Sequence, residues 1–313
     1  MRTALTNDLA QAAEVIRRGG VCAFPTETVY GLGADVFNER AVAKIFCAKL
    51  RPADNPLIAH ISDKTQIERL VCEITPTATK LIEAFFPGPL TVVLPKTEAV
   101  PLIATAGLRT IGIRMPSSDL AHRFLELCET PVVAPSANLS GRPSPTTWQA
   151  VYQDLDGRID CILQGDATEI GLESTVVDCS GDTPLLLRKG SVSIEELVIV
   201  VPDLGISDPG SDHIARSPGM RHRHYSPRAR VLLVDGGGTD DSRNSAAFIG
   251  LDRPHTDFQL VKICTDIHDY ARSVFAFFRE CDAEGIEVIY CQTVSEMGIG
   301  AALMDRLRRA AEE

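Results

Sequence analysis

Apolar positions along this chain switch repeatedly between helical and strand-like spacing. Leu9, Ala12, Ala13 and Ile16 share one helical face, and Gly19-Gly20 ends that helix. Residues 21–24 read as a buried strand running into a loop over 25–33. Asn38 predicts an N-cap for a helix carrying Val42, Ile45 and Phe46. That helix ends near Lys49, because Pro52 disfavours helical geometry at Arg51. Further strands are predicted at 57–61, 90–94, 110–115, 132–134, 161–163, 175–179 and 185–187. Helices are predicted at 76–86 and from a Ser117 or Ser118 cap through Cys128. The apolar period is lost after Val201, where Pro, Gly, Ser, Asp, Arg and His take over, and it resumes at Ala229. There the pattern gives a strand at 230–234, a helix carrying Tyr270, Val274, Phe277 and Phe278, a strand at 288–290 and a helix at 301–311. The predicted organisation is therefore an α/β domain over 1–205, a linker over 206–228 and a smaller α/β domain over 229–313.

Length agrees with two domains: 313 residues is about twice the usual domain size. A net charge of −11 argues against a protein that coats itself in nucleic acid, while leaving local basic pockets open. The nine cysteines include no Cys-x-x-Cys pair and sit mostly among apolar neighbours, so they read as small core residues in a reducing compartment. A structural zinc is not expected. The first residues carry no apolar signal core, and no apolar run approaches the roughly 18 residues of a membrane span. The expectation is a cytoplasmic enzyme or binding protein.

Common catalytic signatures are absent: there is no Walker A loop, His-Glu-x-x-His or Gly-x-Ser-x-Gly. Gly31-x-Gly33 lacks the third glycine of a dinucleotide loop, and Gly236-Gly237-Gly238 reads as a flexible turn. Two pairs are more informative. Lys49 and Arg51 precede Pro52; Ser136 and Asn138 follow Pro135. Residues two apart on an extended backbone point to one side. Each pair would then face one pocket, the cations toward a polyphosphate and the Ser/Asn pair toward phosphate or sugar oxygens. A solvated helix end and a polar turn account for the same residues equally well. Arg114 lies inside the apolar run 111–115 and needs a buried partner, either a substrate carboxylate or a structural Asp or Glu. Arg188 closes the apolar run 185–187 and fits either a phosphate contact or a snorkelling side chain. His60 ends a strand, a position suited to a core histidine or a catalyst. Glu173-Ser174-Thr175 opens a strand and fits a strand-start turn or a contact with a small polar ligand.

Taken together, six segments in order resemble the YrdC-like threonylcarbamoyl-AMP synthases. They are Pro25-Thr26-Glu27-Thr28-Val29-Tyr30-Gly31-Leu32, Lys49-x-Arg51-Pro52 with Asn55-Pro56-Leu57, Pro87-Gly88-Pro89-Leu90-Thr91, Gly112-Ile113-Arg114-Met115-Pro116, Ala134-Pro135-Ser136-Ala137-Asn138-x-Ser140-Gly141, and Glu173-Ser174-Thr175-Val176-Val177-Asp178. Ser217-Pro218-Gly219-Met220 and His224-Tyr225-Ser226-Pro227 are similar to the linker of that family's long form. Gly298-Ile299-Gly300-Ala301-Ala302 with Asp305-Arg306-Leu307 is similar to its C-terminal signature.

The resemblance implies a YrdC-like twisted mixed sheet with flanking helices, plus a smaller Rossmann-like α/β C-terminal domain. It implies condensation of L-threonine, bicarbonate and ATP to threonylcarbamoyl-AMP and pyrophosphate. The product would feed threonylcarbamoylation of tRNA beside the anticodon, through a separate tRNA threonylcarbamoyltransferase complex. By the same resemblance Lys49, Arg51, Ser136 and Asn138 form the catalytic set. Arg51, Asn55, Thr110, Ser136, Ser144, Arg188 and Tyr225 contact ATP. Thr28, His60, Arg114, Ala134 (through its backbone) and Ser174 contact threonine. Mg²⁺ is expected only with ATP, with no tightly bound cofactor and no resident metal. Stable direct binding of nucleic acid or membrane is not expected. Two rival readings remain: a carbamoyltransferase using carbamoyl phosphate, disfavoured because its usual large extra module has no room in 313 residues, and an RNA-binding module, disfavoured by the acidic balance.

Overall fold

Short polar side chains set the helix starts. The Asn38 side chain accepts from Ala41 N–H, Ser118 from Ala121 N–H, and Ser193 forms a reciprocal capping box with Glu196. The computed structural model describes residues 2–206, 225–236 and 245–311. Its first part contains β1 (Ala4–Thr6), α1 (Leu9–Arg17), β2 (Cys22–Phe24), β3 (Gly31–Asp35), α2 (Glu39–Lys49), β4 (Ile58–His60), α3 (Pro76–Phe85), β5 (Leu90–Pro95) and β6 (Thr110–Arg114). It continues with α4 (Asp119–Cys128), β7 (Val132–Val133), α5 (Trp148–Leu155), β8 (Cys161–Leu163), β9 (Thr175–Asp178), β10 (Leu185–Arg188), α6 (Ile194–Val200) and β11 (Gly205–Ile206). The second part contains β12 (Arg230–Val234), β13 (Ala246–Gly250), β14 (Leu260–Ile263), α7 (Ile267–Ala283), β15 (Val288–Gln292) and α8 (Gly300–Ala311).

Among the described residues these strands build two sheets. The first is mixed, in the order β1-β8-β2-β3-β7-β4-β6-β5-β9-β10-β11. The second is parallel throughout, in the order β12-β15-β13-β14. One face of the large sheet buries Leu32, Ile45, Leu57 and Ile113, while α1 and α4 cover Ile16, Phe24 and Phe124 on the other. The second core is rich in aromatic residues, with Tyr270, Phe275 and Phe278 packed on Leu303 and Leu307. It also takes in Leu172 from the first domain and Tyr225, so the two domains share buried surface. Seven of the nine cysteines are buried, as apolar fillers should be.

The loop predicted over 25–33 is shorter than expected, because β3 starts at Gly31 and pairs antiparallel with β2. Glycine permits the pairing: a Cβ on Gly33 would meet Val132 Cγ1 at 2.7 Å, and one on Gly31 would meet Ala134 Cβ at 3.1 Å. The strand follows from close packing, which a propensity argument penalises. β13 also escaped the pattern, since a strand buried along its whole length has no alternation to read. Of the expected linker over 206–228, residues 207–224 lie outside the described residues, including Ser217-Pro218-Gly219-Met220 and His224, as do Gly237 and Gly238. No helix of the described residues is long and apolar enough to cross a membrane.

Candidate active site

The carboxyl ends of β4 and β6 and the loop leaving β7 converge on one cleft. Its wall includes Thr28, Arg51, His60, Arg114, Ala134, Ser136, Asn138, Ser144, Ser174, Arg188 and Tyr225. Eleven of the fourteen residues singled out by resemblance therefore meet in one place, drawn from positions up to 197 apart. Lys49, Asn55 and Thr110 do not line it.

β4 and β6 run parallel with His60 beside Arg114, and Val132 of β7 flanks His60 on the other side. The His60 Nδ1 lies 3.1 Å from the Ile58 carbonyl oxygen, a contact that requires the Nδ1–H tautomer. Burial, then the neighbouring Arg114 charge, pushes the imidazole down to about 3. His60 is therefore neutral at physiological pH. Thr26 Oγ1 donates to the Val29 carbonyl at 2.7 Å, so Thr28 must donate its hydroxyl proton to Thr26 Oγ1 at 2.8 Å. Thr28 Oγ1 then accepts from Arg114 Nη1 at 2.8 Å. Between the two partners the sequence left open for Arg114, the structure supplies a protein carboxylate: Nη2 lies 2.7 Å from Glu27 Oε1, with both side chains buried. The angle is too poor for a hydrogen bond, and neither Glu27 oxygen nor Arg114 Nε and Nη2 has a well-aligned partner. The charges are neutralised while part of the guanidinium fork stays available to a ligand.

Two further arginines, Arg51 and Arg188, line the same cleft. Arg51 follows the left-handed C-cap Leu50 (φ 52°) of α2 and reaches the Asn55 and Pro56 carbonyls at 3.3 and 3.4 Å. Burial pushes its guanidinium down to about 10, which leaves it charged at neutral pH. Arg188 donates from Nε to the Ser174 carbonyl and from Nη2 to Ser174 Oγ, both at 3.1 Å, and Ser174 Oγ pairs with Thr91 Oγ1 at 2.8 Å.

Lys49 departs from the paired-cation expectation. It is the last helical residue of α2, and Leu50 turns left-handed after it, so Lys49 and Arg51 do not share an extended backbone. The Lys49 ammonium lies beneath the 135–138 loop and donates to the carbonyls of Ser136 at 2.5 Å and Asn138 at 2.6 Å. Burial, then the charge of Arg51, lowers its affinity for the proton. Asn55 is buried beside Arg51, with both amide atoms unpaired within the protein. Thr110 opens β6, opposite Pro95. The β4–β6 register, with Ile58 beside Gly112, brings it toward Asn55-Pro56 rather than to the cleft wall.

Several participants were given no individual site role from the sequence. Glu27 lies inside the first quoted segment, but only the fold shows it against Arg114. Arg142 lines the cleft and pairs with the buried Asp154 at 2.8 Å. Glu173 accepts from Ser144 Oγ at 2.5 Å and from Arg306 of α8 at 2.9 Å. Burial raises the Glu173 carboxyl, but Arg306, then Arg188 and the Ser144 hydroxyl, outweigh it and hold the group below the usual range. Among the described residues, no group of three or more His, Cys, Asp or Glu side chains is arranged to hold a metal ion.

Known proteins resemble the chain along nearly its full length. The family profile described as "Telomere recombination" matches residues 14–190, and that of "Threonylcarbamoyl-AMP synthase, C-terminal domain" matches residues 192–312. The chain is 43% identical to the threonylcarbamoyl-AMP synthase of Pyrococcus abyssi, over 96% of this chain and 93% of the relative. It is 40% identical to that of Bacillus subtilis, over 98% and 94%. The crystal structure of Pyrococcus abyssi Sua5 complexed with L-threonine superposes with a TM-score of 0.91 at 42% identity, covering 99% of this chain and 97% of the other. With both domains matched along nearly their full length, the chain belongs to the threonylcarbamoyl-AMP synthase family.

Proposed function

We propose that this chain joins L-threonine, bicarbonate and ATP into threonylcarbamoyl-AMP, with release of pyrophosphate, in the cleft between Arg114 and Arg51. The observation that carries this reading is the convergence of two sets of polar groups on one cleft. In one set, Thr28, His60 and Arg114 suit an amino acid: the free part of the Arg114 fork faces its carboxylate, and neutral His60 offers hydrogen bonding to its hydroxyl or amine. In the other set, Arg51, Arg188, Ser136, Asn138 and Ser144 suit a nucleotide triphosphate.

The chemistry then needs positioning more than a protein nucleophile. Bicarbonate takes up a proton and loses water to give carbon dioxide; the neutral threonine amine bonds to its carbon and loses a proton, giving a carbamate. A carbamate oxygen attacks the α-phosphorus, the bond to the β,γ unit breaks, and pyrophosphate leaves with the electron pair. Arg51 and Arg188 offset the charge that builds on the phosphates, and Mg²⁺ enters as part of the ATP substrate. Proton acceptance by His60 is disfavoured, since a ring pushed down to about 3 takes a proton poorly from an ammonium. Asn55 and Thr110 would serve the nucleotide from beside Arg51, and Lys49 would hold the loop that presents Ser136 and Asn138. The same reading places the protein in the cytoplasm, with a tRNA threonylcarbamoyltransferase consuming its product.

The test is incubation of purified protein with α-labelled ATP, Mg²⁺, L-threonine and bicarbonate. A labelled threonylcarbamoyl-AMP that requires both threonine and bicarbonate supports the reading. Unchanged ATP from folded protein overturns it.

A further inference from the structure

We propose that Arg306, carried by α8 of the second domain, is a positioning residue for the nucleotide set of the cleft. It would act through Glu173 on Ser144 and through its own flat face on Tyr225. The inference rests on the reading that this set of groups binds ATP.

Arg306, on α8 of the smaller domain, is only 1% exposed. Its donors are spread over three partners. Nε reaches Glu173 Oε2 at 2.9 Å, Nη2 reaches the Lys189 carbonyl at 3.0 Å, and Nη1 reaches Asp305 at 2.5 Å. Glu173 and Lys189 flank β9 and β10, the strand pair that carries Ser174 and Arg188 into the cleft. The other Glu173 oxygen takes the Ser144 hydroxyl at 2.5 Å. A chain of hydrogen bonds therefore runs from α8 to a cleft-wall hydroxyl 162 residues earlier. The proton on Ser144 Oγ is committed to Glu173, so its lone pairs are the part aimed at solvent or ligand.

The guanidinium plane does a second job. Its central carbon sits 5.1 Å from the Tyr225 ring centroid, and that ring also stacks on Phe275 of α7 at 5.4 Å. Tyr225 lines the cleft with φ +68°, a left-handed conformation that non-glycine residues adopt only when their surroundings hold them there. Arg306 and Phe275 supply that hold, and Ser226 N–H bonds to the Gly141 carbonyl at 3.0 Å just beyond. The second domain thereby fixes the geometry of two cleft residues while contributing no side chain of its own helices to the cleft wall.

The groups facing Glu173 are Arg306 from α8, Arg188 from β10, Ser144, and Tyr225 from the chain entering the second domain. Losing Arg306 removes the largest influence that keeps the buried Glu173 ionised. Protonated Glu173 would compete for the Ser144 oxygen.

The experiment compares the full chain with Arg306→Met and Arg306→Lys, each checked for folding by circular dichroism and thermal melting. It measures KM for ATP and for threonine, kcat against pH, and calorimetric binding of the α,β-methylene analogue of ATP. Arg306→Met is expected to weaken the analogue and raise KM for ATP at least ~10-fold, with threonine changed less than about 3-fold. Its acid limb should move to higher pH. Arg306→Lys keeps the charge and should leave the acid limb in place. Equal losses for both substrates, or unchanged analogue binding with unchanged acid limb, would reduce Arg306 to an interdomain staple and overturn the proposal. If Arg306→Met does not fold, Glu173→Gln with Arg306 intact serves instead, and normal binding of the analogue by that variant sinks the idea. Wild-type protein that binds the analogue yet turns over no ATP would refute the functional reading alone, and the binding comparison would still decide on Arg306.

Discussion

Lys49 and Asn138 are joined by the lysine ammonium, which donates to the Asn138 backbone carbonyl at 2.6 Å and lies 3.4 Å from its side-chain oxygen. A residue that resembles a phosphate ligand in sequence is in this structure a strut under the loop that presents Ser136 and Asn138. Lys49→Met would leave those two carbonyls without their donor, at a cost of about 1–3 kcal/mol each. Stability and activity should fall together, and Lys49→Arg should not rescue them, since a buried site fitted to an ammonium has no room for a guanidinium fork. Urea midpoints beside turnover check this. A fully stable but inactive Lys49→Met would instead return Lys49 to direct contact with substrate.

Arg51 and Arg114 should separate by substrate. Arg51→Ala is expected to stay folded and to lose at least ~100-fold in kcat. Arg114→Lys retains the charge facing Glu27 but loses the fork, so KM for threonine should rise about 10- to 100-fold while KM for ATP changes little. Steady-state kinetics with each substrate varied in turn decide the matter. Equal effects of Arg114→Lys on both substrates would remove it from the amino-acid set of the cleft.

The second interdomain bridge can be tested through stability alone. Arg279 of α7 donates to Pro143 O at 2.5 Å and to the buried Asp154 carboxylate at 2.9 Å, pinning the loop that follows Asn138. Arg279→Met leaves Asp154 with Arg142 as its remaining cation and should cost about 3 kcal/mol. Chemical denaturation measures it, and a loss below about 0.5 kcal/mol would show that the bridge adds little.

Acid sensitivity follows from His60. Its folded-state pKa is pushed to about 3, below the ordinary 6.5 of an unfolded chain. Between those values the unfolded chain binds more protons, so stability is highest above pH 6.5 and falls as pH drops toward 3. The slope from this one group approaches about 1.4 kcal/mol per pH unit. Glu173, held below the usual carboxylate range, adds a loss in the same direction at lower pH. Comparing denaturation at pH 7 and pH 5 for wild type and His60→Asn checks the sign: the variant should lose less on acidification.

Gly190 should be irreplaceable. A Cβ there would lie 2.2 Å from the Thr175 nitrogen and 2.4 Å from the Ser174 carbonyl carbon, both backbone atoms. Gly190→Ala must therefore push back the start of β9, where Glu173 and Ser174 sit. It should lower both thermal stability and nucleotide affinity, and a variant with wild-type melting and affinity would refute the close approach.

Much of the architecture is legible in the sequence. Caps such as Asn38 and Ser118, the Gly19-Gly20 stop and the apolar runs at 90–94 and 110–115 act within a few residues of themselves, so their elements are legible one segment at a time. Most site residues were legible for a related reason: they occur in short segments whose residue types and order are distinctive. How those segments meet is set by the three-dimensional fold. Gly31–Asp35 is a strand because β2 and Val132 close on it, not because glycine favours strands. Lys49 turns inward because Leu50 takes a left-handed conformation and carbonyls from a distant loop wait below it. Arg306 reaches Glu173 across 133 residues of chain. Hydrogen bonds and ion pairs act over about 3 Å of space whatever the separation in sequence, and spacing along one chain carries no record of them.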